Sequence, residues 1–345
     1  MTTSIAFAVP GDIETLTGGY LYDFNLMKAL SASGLTVRHM AWGASFPQPT
    51  AQDACDALAQ LQSLPRDLPA VVDGLAFGAL ETEGLQRVSA PLYALVHHPL
   101  ALEPGLDPAL ARNMAEREKA NLEIARHIFV TSPHTGGILR AHYGVAPDKI
   151  TIILPGFDAQ ARTDTLKDDP PLILSVGILA QRKGHDVLLR ALAQIKDLAW
   201  QADIVGRDHE TGMTARLSAL IEELGLTGRA RLSGEISQEA LVARYRRASL
   251  FALATRYEGY GIVFGEAMGH GLPIVSTRAG AVPETVAPQA GLLVEADDVD
   301  AFAAALRRML TDTALRNACA DASLRAGEAL SGWPEAARVL RSQLG

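Results

Sequence analysis

The sequence predicts an α/β fold built from two doubly wound, Rossmann-like domains. Three observations carry this. Short apolar strands alternate with longer amphipathic helices along the whole chain, the alternation restarts after a polar segment near the middle, and 345 residues suit about two domains of ordinary size. Such alternation arises when crossover helices cover both faces of parallel strands.

The elements follow in order. Ile5–Val9 is a buried strand stopped by Pro10, and Tyr20–Ser33 is a helix closed by Gly34, a residue suited to the turn after a helix. Val37–Trp42 continues as a strand and Cys55–Leu64 as a helix. Ala70–Asp73 and Pro91–His97 are further strands, Pro108–Arg126 is a long helix, and Ile128–Thr131 and Ile150–Leu154 complete the half. Residues 159–171, AQARTDTLKDDPP, have linker composition. Leu172–Val176 then opens a new series, with a helix at Val187–Ala193 and strands at Trp200–Val205, Ala230–Leu232, Leu250–Leu253 and Pro273–Ser276. The domains expected are residues 1–165 and 166–330, with 331–345 carrying a helix, Trp333–Leu344, that packs back across them.

Composition excludes several classes. Apolar residues make up 48% and charged residues 20%, enough for a buried core, and the net charge of −8 offers nucleic acid or an anionic membrane no bulk attraction. Cys55 and Cys319 are too few for a disulfide framework or thiolate metal site. Ile5–Val9 is too short and too uncharged at its start for an export signal, and no apolar run approaches membrane-spanning length. The expectation is a cytoplasmic protein without stable membrane insertion, whose closest approach to a bilayer is peripheral contact at the inner membrane surface.

The chemistry concentrates in Arg256–Pro273, RYEGYGIVFGEAMGHGLP. A strand runs into a loop holding Glu258, Gly259, Tyr260 and Gly261, and a helix begins near Ile262. Glycines let backbone N–H groups approach a ligand, and the helix start presents unpaired N–H groups and a positive dipole end to an anion. Glu266, one turn on in an apolar helix, is placed to accept hydrogen bonds from a vicinal diol such as a ribose. Ser175–Gly184, SVGILAQRKG, sets Arg182 and Lys183 side by side on a strand-to-helix loop, where two cations can clamp a diphosphate. Taken alone, such a pair in a loop is more often solvated surface than a ligand site. Thr17-Gly18-Gly19-Tyr20 suits close backbone approach by an anion or a sugar, and also suits a plain flexible loop. PLYALVHHP ends a strand on His97 and His98 with no third ligand at metal spacing, so no metal is expected.

These motifs resemble the Glu-x7-Glu signature of retaining glycosyltransferases of the GT-B fold, specifically family 4, the glycosyl transferases group 1. Glu258 and Glu266 have the spacing, within Glu-Gly-Tyr-Gly and Glu-Ala-Met-x-x-Gly-Leu-Pro, and the resemblance extends over Leu172–Val294. It implies two domains facing across a cleft, the first on the acceptor side and the second on the donor side. It implies a nucleotide-diphosphate sugar as donor and a glycan, glycolipid or small molecule as acceptor. It further implies no cofactor, no obligatory metal, and proton transfer to the leaving phosphate. Glu258 would meet the transferred sugar together with Gly259, Tyr260, Gly261 and Ile262, and Glu266 the ribose. Gly18, Gly19, Gly206, Arg207, Glu235 and Ile236 would line the donor, with Arg182 and Lys183 on its diphosphate. A histidine at the end of the corresponding strand falls on His97, with His98 the competitor. Family members commonly carry an arginine where this sequence has Ile178, which moves the phosphate duty to Arg182 and Lys183.

Other features read as structural. Asp298-Val299-Asp300 precedes an apolar helix and caps it, Ser132 caps another, and Glu116 and Glu118 lie among Arg112, Arg117, Lys119 and Arg126 on a helix read as a solvated face. Glu284 has no assigned role. Two rival functions share the architecture: an epimerase or phosphorolytic enzyme acting on nucleotide sugars, and a non-catalytic nucleotide-sugar sensor.

Overall fold

The computed structural model describes residues 3–344 apart from 16, 104 and 159–165, so the first part of the expected linker lies outside the described residues. The chain divides into two units, Met1–Asp158 with Ser331–Gly345, and Ala159–Leu330.

The first unit is built on β1 (Ser4–Pro10), β2 (Thr36–Trp42), β3 (Ala70–Asp73), β4 (Leu92–Val96), β5 (His127–Val130) and β6 (Ile150–Ile152). All pair in parallel in the order β2-β1-β3-β4-β5-β6. The chain leaves β1 for β2 on one side and returns to β3 on the other, which places a topological switch point between β1 and β3, where open α/β sheets bind ligands. The helix Gly18–Ala32 follows β1, and the C-terminal helix Trp333–Ser342 belongs to this unit, where it packs against Gly18–Ala32. Phe157 N–H donates to Ser331 O at 2.9 Å, tying together the chain's two passages beside the unit boundary.

The second unit is built on β7 (Leu172–Val176), β8 (Gln201–Val205), β9 (Ala230–Gly234), β10 (Leu250–Leu253), β11 (Ile274–Thr277) and β12 (Gly291–Val294). Their order is β12-β11-β10-β7-β8-β9, again parallel, with the switch point between β7 and β10. Side chains alternate between the two faces of the sheet. Leu172, Leu174, Phe251 and Leu253 pack into one apolar cluster, and Ile173, Leu250 and Ala252 into the other. Burial on both faces explains why these strands read as unbroken apolar runs.

Two expectations need correction. Glu118 is 1% exposed rather than solvated: on the helix Pro108–Ile124 its Oε2 accepts from Leu100 N–H at 3.1 Å, and burial raises its pKa to about 7. Arg126 lies beyond that helix, its backbone N–H bonded to Leu92 O, so it is no part of a basic helical face. β12 and the helix Thr313–Glu328 are elements the sequence reading passed over.

Candidate active site

In the second unit the switch point brings two loops together. The loop after β7 tightens into a turn at Gln181–Lys183, and Gly184 then opens the helix His185–Ala193 at φ +63°, where a Cβ would stand 1.8 Å from Ala254 O. Only glycine lets the two loops approach so closely. The loop after β10 is held by Gly280 in the same way: at φ +55°, a Cβ there would lie 2.3 Å from Glu258 O.

Between these contacts sits an ion pair. Lys183 Nζ donates to Glu258 Oε1 at 2.6 Å, across 75 residues of sequence, with both side chains buried. The Thr255 hydroxyl donates to the same Oε1 at 3.0 Å. Burial raises the cost of the Glu258 charge, but Lys183 and Arg182 outweigh it and hold its pKa below the usual carboxylate range. Arg256 braces the loops from outside: its guanidinium donates two bonds to Asp186, at 3.0 and 2.9 Å, and one to Asp297 at 2.7 Å.

The structure gives the other expected donor residues of the second unit these settings. Gly261 immediately precedes the helix Ile262–Gly269, and half-buried Gly259 lies between Glu258 and buried Tyr260. Thr285 donates to Tyr260 O at 2.7 Å, and burial raises the Tyr260 hydroxyl to about pKa 12. On the helix, Glu266 accepts from the Tyr245 hydroxyl at 2.8 Å, and burial raises its pKa against the effect of that bond. Tyr245 stacks on His270 with ring centroids 5.1 Å apart. Gly206 N–H donates to Gly234 O at 2.9 Å, while Arg207 O accepts from Leu179 N–H at 2.8 Å. Glu235 is exposed, and Ile236 packs against the apolar cluster that holds Leu172, Leu174, Phe251 and Leu253. Ile178 is buried, and its carbonyl accepts from His185 Nε2 at 3.3 Å.

In the first unit the two histidines separate. His98 pairs with Glu103 at 3.0 Å on the loop after β4. His97 enters a buried cluster at the strand ends, its Nε2 3.0 Å from Asp23 Oδ1 and 3.4 Å from Asp73 Oδ2. Gly19 lies against the same ring, a Cβ there falling 3.7 Å from His97 Cδ2. Sequence spacing showed no third group beside the histidines, yet side-chain atoms of Asp23, Asp73 and His97 converge within 4.8 Å of one another. Asp23 and Asp73 were missed because neither neighbours His97 in sequence. Each left a signal: a carboxylate on an otherwise apolar helix face beside Tyr22, Leu26 and Met27, and a carboxylate ending a buried strand.

Residues 157–325 match the family model of the glycosyl transferases group 1. The chain is 28% identical over 291 residues to an MMP alpha-(1->4)-mannosyltransferase of Mycolicibacterium hassiacum, covering 78% of this chain and 68% of that protein. It is also 28% identical over 233 residues to a D-inositol 3-phosphate glycosyltransferase of Thermobifida fusca, covering 62% of this chain and 54% of that one. The match therefore spans between about half and two thirds of the length of these curated relatives. Among solved structures, sucrose-phosphate synthase from Thermosynechococcus elongatus aligns with a TM-score of 0.81 at 22% identity, over 99% of this chain and 98% of that one. Anabaena HepE in complex with UDP and glucose aligns with a TM-score of 0.79 at 15% identity, over 99% of each chain. The fold is thus the GT-B fold of glycosyltransferases. Residues 157–325, just under half of the chain, carry the sequence pattern of the glycosyl transferases group 1.

Proposed function

From the premise of a glycosyltransferase domain, we propose that the chain transfers a sugar from a nucleotide-diphosphate sugar to an acceptor hydroxyl with retention of anomeric configuration. The second unit holds the donor, and the first contributes acceptor binding. The buried Lys183–Glu258 pair at the β7/β10 switch point is the observation that carries this reading most directly. As the sugar–phosphate bond breaks, negative charge grows on the diphosphate and positive charge on the sugar ring. Lys183 and Arg182 supply preorganised positive potential for the first, and Glu258, kept ionised by those cations, supplies negative potential for the second. The leaving phosphate takes the acceptor's proton from the same face, so the scheme needs neither a separate protein base nor a divalent ion.

Around this centre the loop amides of Gly259 to Ile262 face the sugar and phosphates, and Glu266 takes the ribose diol. Gly206, Arg207, Glu235 and Ile236 border the nucleotide; in the first unit, Gly18, Gly19 and His97 offer groups suited to a sugar. HepE, whose structure contains UDP and glucose, supports a nucleotide-sugar donor, and the mannosyltransferase and the D-inositol 3-phosphate glycosyltransferase support sugar transfer.

The test is release of nucleoside diphosphate from UDP-, GDP- and ADP-sugars offered with candidate acceptors. One base should stand out, and E258A should remove turnover while the protein remains folded. In parallel, a nucleotide at 100 times its dissociation constant should stabilise the wild type by about 2.7 kcal/mol, and E266A should weaken that stabilisation. Undiminished turnover in E258A would remove Glu258 from the reaction, and no thermal response to any nucleotide would remove the function.

A further inference from the structure

The first-unit cluster contains a residue for which the transferase reading has no assignment. Asp23 lies on the helix Gly18–Ala32 among Tyr22, Leu26, Met27 and Leu30, all buried, and is itself 0% exposed. Helix packing gives no reason for a carboxylate there, and a buried carboxylate is costly unless something charged meets it. What meets it is one nitrogen of His97.

We propose that Asp23 is a positioning residue for sugar transfer: together with Asp73 it grips Nε2 of His97 and fixes the ring so that Nδ1–H donates to a hydroxyl oxygen of sugar bound at these strand ends. The proposal rests on the transferase reading above and adds to it a residue and a protonation state.

The geometry restrains the ring from several sides. Nε2 stands between two carboxylate oxygens, Asp23 Oδ1 at 3.0 Å and Asp73 Oδ2 at 3.4 Å, so it must carry a proton to serve both. Asp73 is anchored in turn, its Oδ1 accepting from Leu75 N–H at 2.8 Å. Tyr22 meets the imidazole edge-on with centroids 5.1 Å apart, and the Tyr22 hydroxyl is fixed by a 2.8 Å bond to Ile153 O. Trp333 packs edge-on to Tyr22 at 5.4 Å, Gly19 lies against the imidazole, and the hydroxyl of Thr135 donates to His97 O at 3.2 Å. The side chain keeps 18% of its surface exposed, and with Nε2 buried between carboxylates Nδ1 is the ring nitrogen left for a ligand.

The charge state follows from the groups that face the ring: Asp23 from its helix, Asp73 from the end of β3, and the Tyr22 aromatic edge. Burial opposes a charge on the imidazole, but the two carboxylates outweigh it and raise His97 to about 10. Burial also lifts Asp23, to about 7, with His97 opposing and Asp73 adding to the rise. The distinction has chemical content. A neutral ring protonated at Nε2 offers a lone pair at Nδ1, whereas an imidazolium offers a charged N–H donor, suited to a hydroxyl oxygen of a bound sugar.

The experiment uses the full chain. The titration of His97 is followed by 1H–13C NMR in wild type, D23N and D73N, with H97Q giving the assignment, and kcat and KM are measured against pH with the best donor. The expected result is a wild-type His97 midpoint well above those of exposed histidines, lowered by about one pH unit or more in D23N. The alkaline limb of kcat should move down with it while KM for the donor changes little. Should D23N not fold, D23S carries the same measurements. An unmoved His97 midpoint in a folded variant overturns the proposal, as does a kcat loss that is equal at every pH. Stabilisation by Zn²⁺ or Mn²⁺ that D23N abolishes would make the cluster a metal site and also overturn it. Wild type that turns over no donor overturns the transferase reading, and this proposal with it, whichever way His97 titrates.

Discussion

The two buried charge clusters are balanced differently. In the second unit one cation meets one carboxylate: Lys183 and Glu258 lie 2.6 Å apart, with Thr255 completing the carboxylate's bonding. In the first unit one imidazole faces two carboxylates, and Asp23 Oδ2 has no hydrogen-bond partner among the described residues. The first arrangement keeps an anion ionised, with its pKa lowered. The second holds a cation, at the cost of lifting one of its own anions toward neutrality. A matched pair thus fixes the charge of both its members, while an excess of carboxylate fixes only the histidine and leaves the cluster sensitive to pH.

The largest effect should come from breaking the matched pair. K183M leaves Glu258 buried without its cation, which typically costs about 3–5 kcal/mol of stability, and it removes a preorganised charge worth ~10²–10³ in turnover. The sign against pH is distinctive. The depressed pKa of Glu258 gives the wild type stability that is present above the ordinary carboxylate range and lost as pH falls through its lowered value. In K183M the same carboxylate is raised, so melting temperature should climb as pH falls and the group takes up its proton. A melting curve parallel to wild type at all pH values would deny the pair its role.

Next in size is Y245F, which removes the hydroxyl donor to Glu266. Leaving a buried acceptor unmet costs about 1–3 kcal/mol, and the pKa of Glu266, already raised by burial, should rise further. Weakened nucleotide stabilisation in thermal shift would connect that carboxylate to the ribose; unchanged stabilisation would confine Tyr245 to packing.

E118Q should act in the opposite direction, by about 1–3 kcal/mol. The wild-type carboxyl, raised to about 7, loses stability as pH rises from the ordinary carboxylate range through that value. Glutamine keeps an acceptor for Leu100 N–H and removes the charge. The variant should therefore be the more stable protein near pH 8 and equal to wild type near pH 4, by thermal melting. The smallest effect belongs to H98A, which breaks a partly exposed pair with Glu103 and should cost under about 1 kcal/mol. A loss of turnover in H98A as large as that in H97A would erase the distinction between the two histidines.

Much of this was legible in the sequence because it is written locally. β7 and β10 fall on the residues expected for them, since a run buried on both faces needs no partner to be recognised. Ser132 accepts from Thr135 N–H at 3.0 Å and Asp298 from Ala301 N–H at 2.9 Å, as helix caps signalled by residue type and position. Glu258, Glu266, Arg182 and Lys183 stood out by spacing and by resemblance. Glu118 was misread because its neighbours in sequence, Arg117 and Lys119, are charged, while its burial is decided by the loop at Leu100.

By itself, then, the sequence determined the alternating elements, the two parallel sheets and the glycine-rich loops after β7 and β10, because periodicity, caps and glycine-rich turns act over a few residues. Only the tertiary structure decided which charges meet. Lys183 reaches Glu258 across 75 residues, and Asp23 reaches His97 across 74. Both meetings occur because parallel crossovers return the chain to the same end of a sheet, where strands distant in sequence finish side by side. Charge state depends on distance and burial, and a linear pattern encodes neither.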